Sequence, residues 1–570
     1  MSKIRTALIL GAGFGTRLRP LTSILPKPLL EVRGRPLILS IFDSLVDAGI
    51  KRLIVNTHHL AGRYLEFFEK FRDGDGRIIY RGVPVSISHE PEILDTGGAI
   101  KNILPIIGDE DSILVYNGDI ISQTDIPALL RSAESSTASA ILCLRESGAI
   151  KNVSVEGTKV RDMRFILRAS FEKSAQFTGI FAAKKSFLEA VKSRSGKVFS
   201  TIDVLIDLLK KNPDSIDAHF DGSPWEDIGT LDSYKELNRG FDTNIQLIDA
   251  LARDADMRID NPIPIKKGAS DRFFYTAKAK GGEDVVACVY SLQKAENSLY
   301  VPLANFLISE GFPVPKIYAH NADAGIILMQ GLGSKDLLSI SSKERLFYYK
   351  KAAKYIRLLH GQITDSFKSL KNPVRLSEPF GTNLYDWEHR YFFGECVRDK
   401  FSLKVSPPAD ELKFIKDTLS ATPQCLLHRD LQSQNIMVVG NDVYFIDFQG
   451  MRFGCPFYDL ASLLFDPYAR LSSTERKSVL DAYFGDSTAS EKQMEENTFL
   501  LNIGAAQRLM QALGAYGFLS LKKGKKEYSQ YFYPALMSLS ECAHSAGLRC
   551  IANTADACIE ILSRGESRQI

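Results

Sequence analysis

Two short motifs lie far apart in a chain that is too long for one hydrophobic core. The first, Gly-Ala-Gly-Phe-Gly-Thr-Arg at residues 11–17, directly follows an apolar run, and the second, His-Arg-Asp-Leu-Gln-Ser-Gln-Asn, occupies residues 428–435. Domains usually divide beyond roughly 250 to 300 residues, and this chain has 570. We therefore expect two or three domains, with the two motifs in different ones.

The composition is typical of a soluble globular protein, with 45% hydrophobic and 24% charged residues. The net charge of +3 favours neither nucleic acid nor a membrane surface as a partner. No stretch approaches the ~18 apolar residues of a membrane span. The eight cysteines show neither a C-x-x-C pair nor a metal-ligand spacing. We interpret them as thiols of a reducing compartment and predict a cytoplasmic protein.

The first part of the chain alternates short apolar runs with helix-length segments, as in a doubly wound parallel sheet. The predicted strands are Ile4–Leu10, Arg52–Asn56, Val85–His89, Ser112–Tyr116 and Ala138–Leu144. The predicted crossover helices are Leu37–Ala48, Leu60–Phe71 and Gly97–Leu104. We predict a Rossmann-like α/β domain over residues 1–240, with a hairpin at residues 152–163 that departs from the sheet.

The pattern changes after residue 240. Residues 241–265 are predicted as a linker that contains one amphipathic helix, roughly Asn244–Asp254. A glycine-bearing loop, two strands at Phe273–Lys278 and Asp284–Tyr290, and a helix at Ser298–Glu310 come next. The remainder is rich in helix. This order predicts a two-lobed, protein-kinase-like α+β domain over residues 266–570, with an N-lobe at 266–335 and a C-lobe at 336–570.

The glycine-rich loop of the first motif is suited to binding phosphates. Gly11, Gly13 and Gly15 have no Cβ, so backbone N–H groups there can approach phosphate oxygens closely. Arg17 and Lys27 add two cations around the loop. Such cations can neutralise a triphosphate that backbone amides alone could not, so the motif indicates a nucleoside triphosphate site.

This string, continued by Pro26-Lys27-Pro28-Leu29, resembles the sugar-1-phosphate nucleotidyltransferase family over residues 1–240. The resemblance implies that Arg17 and Lys27 are catalytic and contact the nucleotide phosphates. It implies Mg²⁺ binding by Asp119 and Asp227, two carboxylates that share the ion with substrate phosphates. The implied nucleotide-binding residues of this loop are Gly11, Ala12, Gly13, Gly15, Thr16 and Arg17.

Two further segments resemble the N-acetylmuramate-1-phosphate uridylyltransferase branch of that family. They are Asn56-Thr57-His58-His59-Leu60 and Glu90-Pro91-Glu92-Ile93-Leu94-Asp95-Thr96-Gly97-Gly98. The resemblance implies that Thr96, Gly97 and Gly98 lie near the nucleoside. It places the sugar substrate against Asn117, Thr178 and Gly179.

The second motif has the spacing of a kinase catalytic loop. Asp430 can orient the attacking hydroxyl while Asn435 reaches Mg²⁺, and Asp447 begins Asp-Phe-Gln, a variant of the metal-binding Asp-Phe-Gly. His428 and Arg429 are predicted to position this loop. Residues 245–545 resemble the aminoglycoside phosphotransferase and choline kinase superfamily, and most of all its anomeric kinases of N-acetylmuramate and N-acetylglucosamine. The resemblance implies ATP as the donor.

The sequence departs from many kinases at the third strand, where Val285 to Tyr290 contains no lysine. The charge that contacts ATP phosphates would then come from another residue. The candidates are Lys266, Lys267, Arg272 and Lys278. Cys288 is interpreted as a core residue, since no base lies near it in sequence.

Together the two resemblances imply a bifunctional enzyme of peptidoglycan-sugar recycling. The kinase would phosphorylate an N-acetyl amino sugar at C1 with ATP, and the transferase would join that product to UTP with Mg²⁺. One alternative is a choline or amino-alcohol kinase fused to a CTP-dependent cytidylyltransferase. A second alternative is that one half is a non-catalytic sensing or scaffolding module.

Overall fold

The computed structural model describes residues 4–148, 150–168, 173–265, 272–485 and 490–566. It divides into two compact units, Met1–Asp254 and Ala255–Ile570. The sequence places the boundary near residue 240, whereas the helix Asn244–Asp254 belongs to the first unit. Gln246 explains this, because its side chain accepts a hydrogen bond from Glu31 N and donates one to Tyr234 Oη.

The first unit is built on a ten-stranded mixed sheet with the order β10-β11-β13-β9-β12-β7-β1-β4-β6-β5. Strands β7, β1, β4 and β6 are parallel, whereas β12 runs antiparallel to both β7 and β9. The strands of this unit are β1 (Thr6–Leu10), β2 (Glu31–Val32), β3 (Arg35–Pro36), β4 (Arg52–Thr57), β5 (Ile78–Tyr80), β6 (Val83–His89), β7 (Ser112–Asn117), β8 (Ile120–Ser122), β9 (Ala140–Arg145), β10 (Val153–Glu156), β11 (Lys159–Met163), β12 (Lys173–Lys184), β13 (Ile216–Phe220) and β14 (Trp225–Asp227).

Helices cover the sheet, as continuous apolar runs in parallel strands require. They are α1 (Leu37–Asp47), α2 (Ala61–Phe68), α3 (Asp95–Ile107), α4 (Ile126–Ser135), α5 (Lys185–Ser193), α6 (Thr201–Lys211), α7 (Leu231–Leu237) and α8 (Asn244–Asp254). One buried cluster packs α3, α5 and α6 against β1, β7, β9 and β12. The predicted Rossmann-like α/β class is confirmed.

The hairpin at residues 152–163 does not depart from the sheet. Its strands β10 and β11 pair with each other, β10 also pairs with β12, and β11 pairs with β13 through Lys159 and Asp217. Val153, Val155 and Val160 are buried in the core cluster. Both strands of the hairpin therefore have sheet partners on either side, and the hairpin is an integral part of the main sheet.

The second unit begins with a five-stranded antiparallel sheet and one helix, followed by a helical region. The sheet order is β15-β16-β17-β19-β18. The first strand precedes residue 266, where the predicted N-lobe begins. The elements are β15 (Ile263–Ile265), β16 (Phe273–Lys278), β17 (Asp284–Val289), α9 (Tyr300–Ser309), β18 (Ile317–Asn321) and β19 (Ile326–Gln330).

The helical region surrounds the long helix α16, whose middle part is buried. The second motif lies between β20 and β21, and these strands form two short antiparallel pairs, β20 with β23 and β21 with β22. The elements are α10 (Arg345–Leu358), α11 (Thr364–Ser369), α12 (Thr382–Tyr391), α13 (Ala409–Ala421), β20 (Cys425–Leu427), β21 (Ile436–Val439), β22 (Asp442–Phe445), β23 (Arg452–Gly454), α14 (Pro456–Leu464), α15 (Ser473–Phe484), α16 (Glu491–Leu521), α17 (Phe532–Ser545) and α18 (Arg549–Glu566).

From the sequence, the cysteines are interpreted as thiols and no apolar stretch is long enough to be a membrane span, and the structure describes both the cysteines and the helices. All eight cysteines are free, and all but Cys550 are buried. Among the described residues, no helix is long and apolar enough to cross a membrane.

Candidate active sites

The register of three parallel strands brings the first motif to one edge of the sheet. Leu10 pairs with Asn56 on one side and with Asn117 on the other, so the residues that follow these strands share that edge. They enclose a cavity of about 330 Å³. Its lining includes most of the predicted nucleotide-site residues, namely Gly11, Ala12, Gly13, Gly15, Thr16, Arg17, Lys27, Thr96, Asn117 and Asp119.

A buried polar chain fixes the start of the glycine-rich loop. Gly11 N donates to Asn56 Oδ1 at 2.7 Å, and Asn56 Nδ2 donates to Glu90 Oε1 at 2.8 Å. Glu90 is fully buried, and its Oε2 accepts from Leu94 N at 3.1 Å. Sequence reasoning did not assign a positioning role to Asn56 or Glu90. The sequence feature that could have indicated this role is a polar residue at the end of a predicted strand or directly after it.

Gly15 needs to be glycine for two reasons. Its φ is +61°, in the left-handed region that side chains disfavour. A Cβ there would also lie 2.7 Å from Thr22 Cγ2, and Thr22 Oγ1 donates to Gly15 O at 2.9 Å. The loop is thereby held against the next turn, which keeps its backbone amides at the cavity wall.

Lys27 joins the two predicted metal-binding carboxylates. Its Nζ lies 2.9 Å from Asp119 Oδ2 and 3.4 Å from Asp227 Oδ1, and the lysine side chain is 9% exposed. The carboxylates meet because β8 pairs with β14, with Ile120 opposite Asp227. Two acidic oxygens therefore converge on one cation at the cavity, and this donor set suits Mg²⁺.

Four of the predicted nucleotide- and sugar-binding residues do not line this cavity, and neither does the predicted metal ligand Asp227. Gly97 and Gly98 both donate their N–H groups to Phe199 O, at 2.9 and 3.1 Å. Thr178 is buried, and its Oγ1 donates to Cys143 O. Gly179 packs so tightly that a Cβ would lie 2.5 Å from Asn117 Nδ2. In this structure these residues contact neighbouring backbone or side-chain atoms, and of those neighbours Asn117 lines the cavity.

The catalytic loop of the second unit is held by a buried carboxylate. Asp459 accepts hydrogen bonds from His428 N at 2.6 Å and from Arg429 N at 2.8 Å. The loop is also tied internally, because Asn435 Nδ2 donates to Asp430 O at 2.8 Å. Asp459 was not predicted as a site residue. The sequence feature that could have indicated its role is an acidic residue within the apolar sequence of α14.

Asp447 lies two residues after the end of β22 in a left-handed conformation, with φ of 69°. Arg272 Nη2 and Gln449 Nε2 both donate to its Oδ1. Burial acts to raise the pKa of Asp447, but Arg272 and Gln449 outweigh burial and leave that pKa below its ordinary value. The carboxylate is therefore kept charged. Backbone pairing of Ile446 N with Asn435 O ties it to the catalytic loop.

A second polar group is buried near the catalytic loop. Glu388 accepts from Tyr458 Oη at 2.9 Å and from Gln507 Nε2 at 2.7 Å, and burial raises its pKa to about 7. His389 Nε2 bonds Gln507 Oε1. The part of α12 that carries Glu388 is therefore not a solvated surface, because this side chain is buried.

The candidates for the missing strand lysine differ in position. Lys278 is on the surface and bonds Asp284 at 2.7 Å, whereas Arg272 contacts Asp447. Lys266 and Lys267 lie outside the described residues. Cys288 is buried, and burial raises its pKa to about 12, as expected for a core thiol.

Comparison with known proteins separates the two units. Residues 6–156 match the family described as Nucleotidyl transferase, and residues 262–495 match the one described as Phosphotransferase enzyme family. N-acetylmuramate alpha-1-phosphate uridylyltransferase of Neisseria meningitidis serogroup B is 32% identical over 233 residues, which are 40% of this chain and 95% of that relative.

Two further similar proteins have a lower sequence identity to this chain. Mannose-1-phosphate guanylyltransferase of Mycobacterium tuberculosis is 28% identical over 40% of this chain, and the chain spans 62% of that relative's length. A solved UDP-glucose pyrophosphorylase from Acinetobacter baumanii is 19% identical, with a TM-score of 0.36 over 41% of this chain and 92% of its own.

The Neisseria relative is matched over nearly its full length, and a distinct phosphotransferase match follows the first unit along the chain. The chain therefore belongs to the nucleotidyl transferase family and is a bifunctional enzyme, a sugar-1-phosphate nucleotidyltransferase joined to a kinase-type phosphotransferase domain.

Proposed function

We propose that the enzyme carries out two consecutive steps in the recycling of cell-wall sugars. The second unit phosphorylates N-acetylmuramate or N-acetylglucosamine at C1 with ATP. The first unit then transfers UMP from UTP to that sugar 1-phosphate. One observation carries the proposal. Asp119 and Asp227 both contact Lys27 beside the glycine-rich loop, in a chain that is similar to an N-acetylmuramate alpha-1-phosphate uridylyltransferase.

In the kinase step, the C1 hydroxyl oxygen attacks the γ-phosphorus of ATP. A new C1–O–P linkage forms, the bond to the bridging oxygen breaks, and ADP leaves. Asp430 orients the hydroxyl and takes its proton; its side chain is 36% exposed and so can meet a sugar. Asn435 and Asp447 would hold Mg²⁺, which neutralises phosphate charge when bound.

In the transfer step, a phosphate oxygen of the sugar 1-phosphate attacks the α-phosphorus of UTP. Pyrophosphate leaves as the bond to the β-phosphate breaks. Arg17 and Lys27 stabilise the charge that develops, and the glycine-rich loop together with Thr96 binds the nucleotide. Asn117 lines the same cavity and would contact the sugar. Asp119 and Asp227 would hold Mg²⁺ there.

The test is product analysis with matched variants. Purified protein is incubated with ATP, UTP, Mg²⁺ and either sugar, and phosphorus NMR should show phosphate on C1, then a UDP-sugar. Asp430→Asn should abolish the first step but not uridylyl transfer from supplied sugar 1-phosphate, and Asp119→Ala should do the reverse. Phosphate on C6 alone, or activity confined to choline and CTP, would contradict the proposal.

A further inference from the structure

The strand that normally supplies a phosphate-binding lysine has a thiol facing the kinase site instead. In the sheet of the second unit, Cys288 of β17 lies opposite Phe274 of β16. Cys288 is buried, and it borders a small cavity that Tyr300 and Gln449 also line. No cation can come from β17 itself, because residues 284–289 contain none.

A largely buried cation directly precedes the neighbouring strand, β16. Arg272 directly precedes β16 and lies two residues before Phe274, so both side chains are on the face that carries Cys288. The Arg272 guanidinium lies 5.7 Å from the centre of the Phe274 ring and donates to Asp447 Oδ1. Its side chain is only 14% exposed, so the group is held in place beside the carboxylate predicted to bind metal.

We propose that Arg272 is the catalytic cation that binds the phosphates of ATP in the kinase site, in place of a lysine on β17. This inference rests on the proposed kinase function. Phosphoryl transfer depends on positioning and on neutralising charge at the transferring group. If Asp447 binds Mg²⁺, a guanidinium held at Asp447 would lie beside the ATP phosphates that share the ion, and its planar fork matches phosphate oxygens. Lys278 is directed away to Asp284 at the surface.

Binding of a non-hydrolysable ATP analogue tests the role without any sugar. Calorimetry with adenylyl imidodiphosphate and Mg²⁺ compares wild type with Arg272→Gln and Arg272→Lys. The control is Lys278→Gln, which removes a cation with a carboxylate partner from the same strand. Loss of a charge-assisted phosphate contact should weaken analogue binding by about tenfold to hundredfold in Arg272→Gln. Adenosine, which lacks phosphates, should bind all variants equally.

Turnover provides a second readout. Arg272→Gln should lower the kinase kcat by about 100-fold, while uridylyl transfer from supplied sugar 1-phosphate and the control variant stay near wild type. Arg272→Lys should recover part of the analogue affinity. The inference is overturned if Arg272→Gln binds the analogue as wild type does, if adenosine affinity falls equally, or if the lysine variant is as weak as the glutamine variant.

Failure of the proposed function is distinguishable from failure of this inference. A wild-type enzyme that binds the ATP analogue but phosphorylates neither sugar would contradict the substrate assignment only. A phosphate-specific loss of analogue binding in Arg272→Gln would still support the role of Arg272.

Discussion

Replacing Lys27 with methionine should change metal affinity and turnover in opposite directions. The ammonium lies 2.9 and 3.4 Å from the carboxylates of Asp119 and Asp227, so a divalent ion must displace it or share their oxygens. Even at the dielectric constant of water, about 80, the two attractions are worth about 1.4 and 1.2 kcal/mol. Both carboxylates are roughly two-fifths exposed, with side-chain exposures of 39% and 41%. Screening therefore reduces this total.

We expect Lys27→Met to bind Mn²⁺ about tenfold more tightly in the absence of nucleotide, which corresponds to about 1.4 kcal/mol. Uridylyl transfer should fall about 100-fold, because the cation that would stabilise the shifting phosphate charge is lost. The measurement is Mn²⁺ titration by electron paramagnetic resonance in an Asp447→Asn background, which removes the second candidate metal site. Uridylyl transfer is assayed with the same protein.

Lys159→Met is the matched control, because Lys159 pairs with Asp217 at 2.6 Å outside the cavity lining. It should leave both measurements unchanged. The reasoning is refuted if Lys27→Met binds Mn²⁺ as the wild type does, since the ammonium would then not compete for the carboxylates. Unaltered uridylyl transfer would show that Lys27 is not catalytic.

Three further outcomes are expected. Gly15→Ala should lower the free energy of unfolding by about 1–3 kcal/mol, whereas Gly13→Ala, whose Cβ would meet nothing within 4 Å, should leave the stability unchanged; thermal melts decide. Asp459→Ala should lower the free energy of unfolding by about 1–3 kcal/mol for each of the two backbone N–H groups that lose this acceptor, and should abolish kinase but not transferase activity. The pKa of Glu388 is raised from 4.5 to about 7, so the folded state favours the protonated carboxyl. The free energy of unfolding of the wild type, relative to that of Glu388→Gln, should therefore fall as the pH rises from 4.5 to 7 and stay constant above pH 7. Denaturant melts measure this difference, and a difference that stays constant across that range would contradict the prediction.

The sequence by itself determined the features that depend on neighbouring residues. The glycine-rich loop, the catalytic-loop spacing and most strands and helices follow from local chemistry and from the period of apolar residues. The α8 helix was predicted with its observed bounds, Asn244–Asp254. Two families could be recognised for the same reason, because their motifs are contiguous strings.

The tertiary structure decided which distant residues meet. Lys27 reaches Asp119 and Asp227 across separations of 92 and 200 residues, and Arg272 reaches Asp447 across 175. The sequence offered four cations for the kinase site without ranking them. It also gave Gly97 and Gly98 a nucleotide role, although their N–H groups bond Phe199 O. Strand pairing and burial fix such contacts, and neither depends on spacing along the chain.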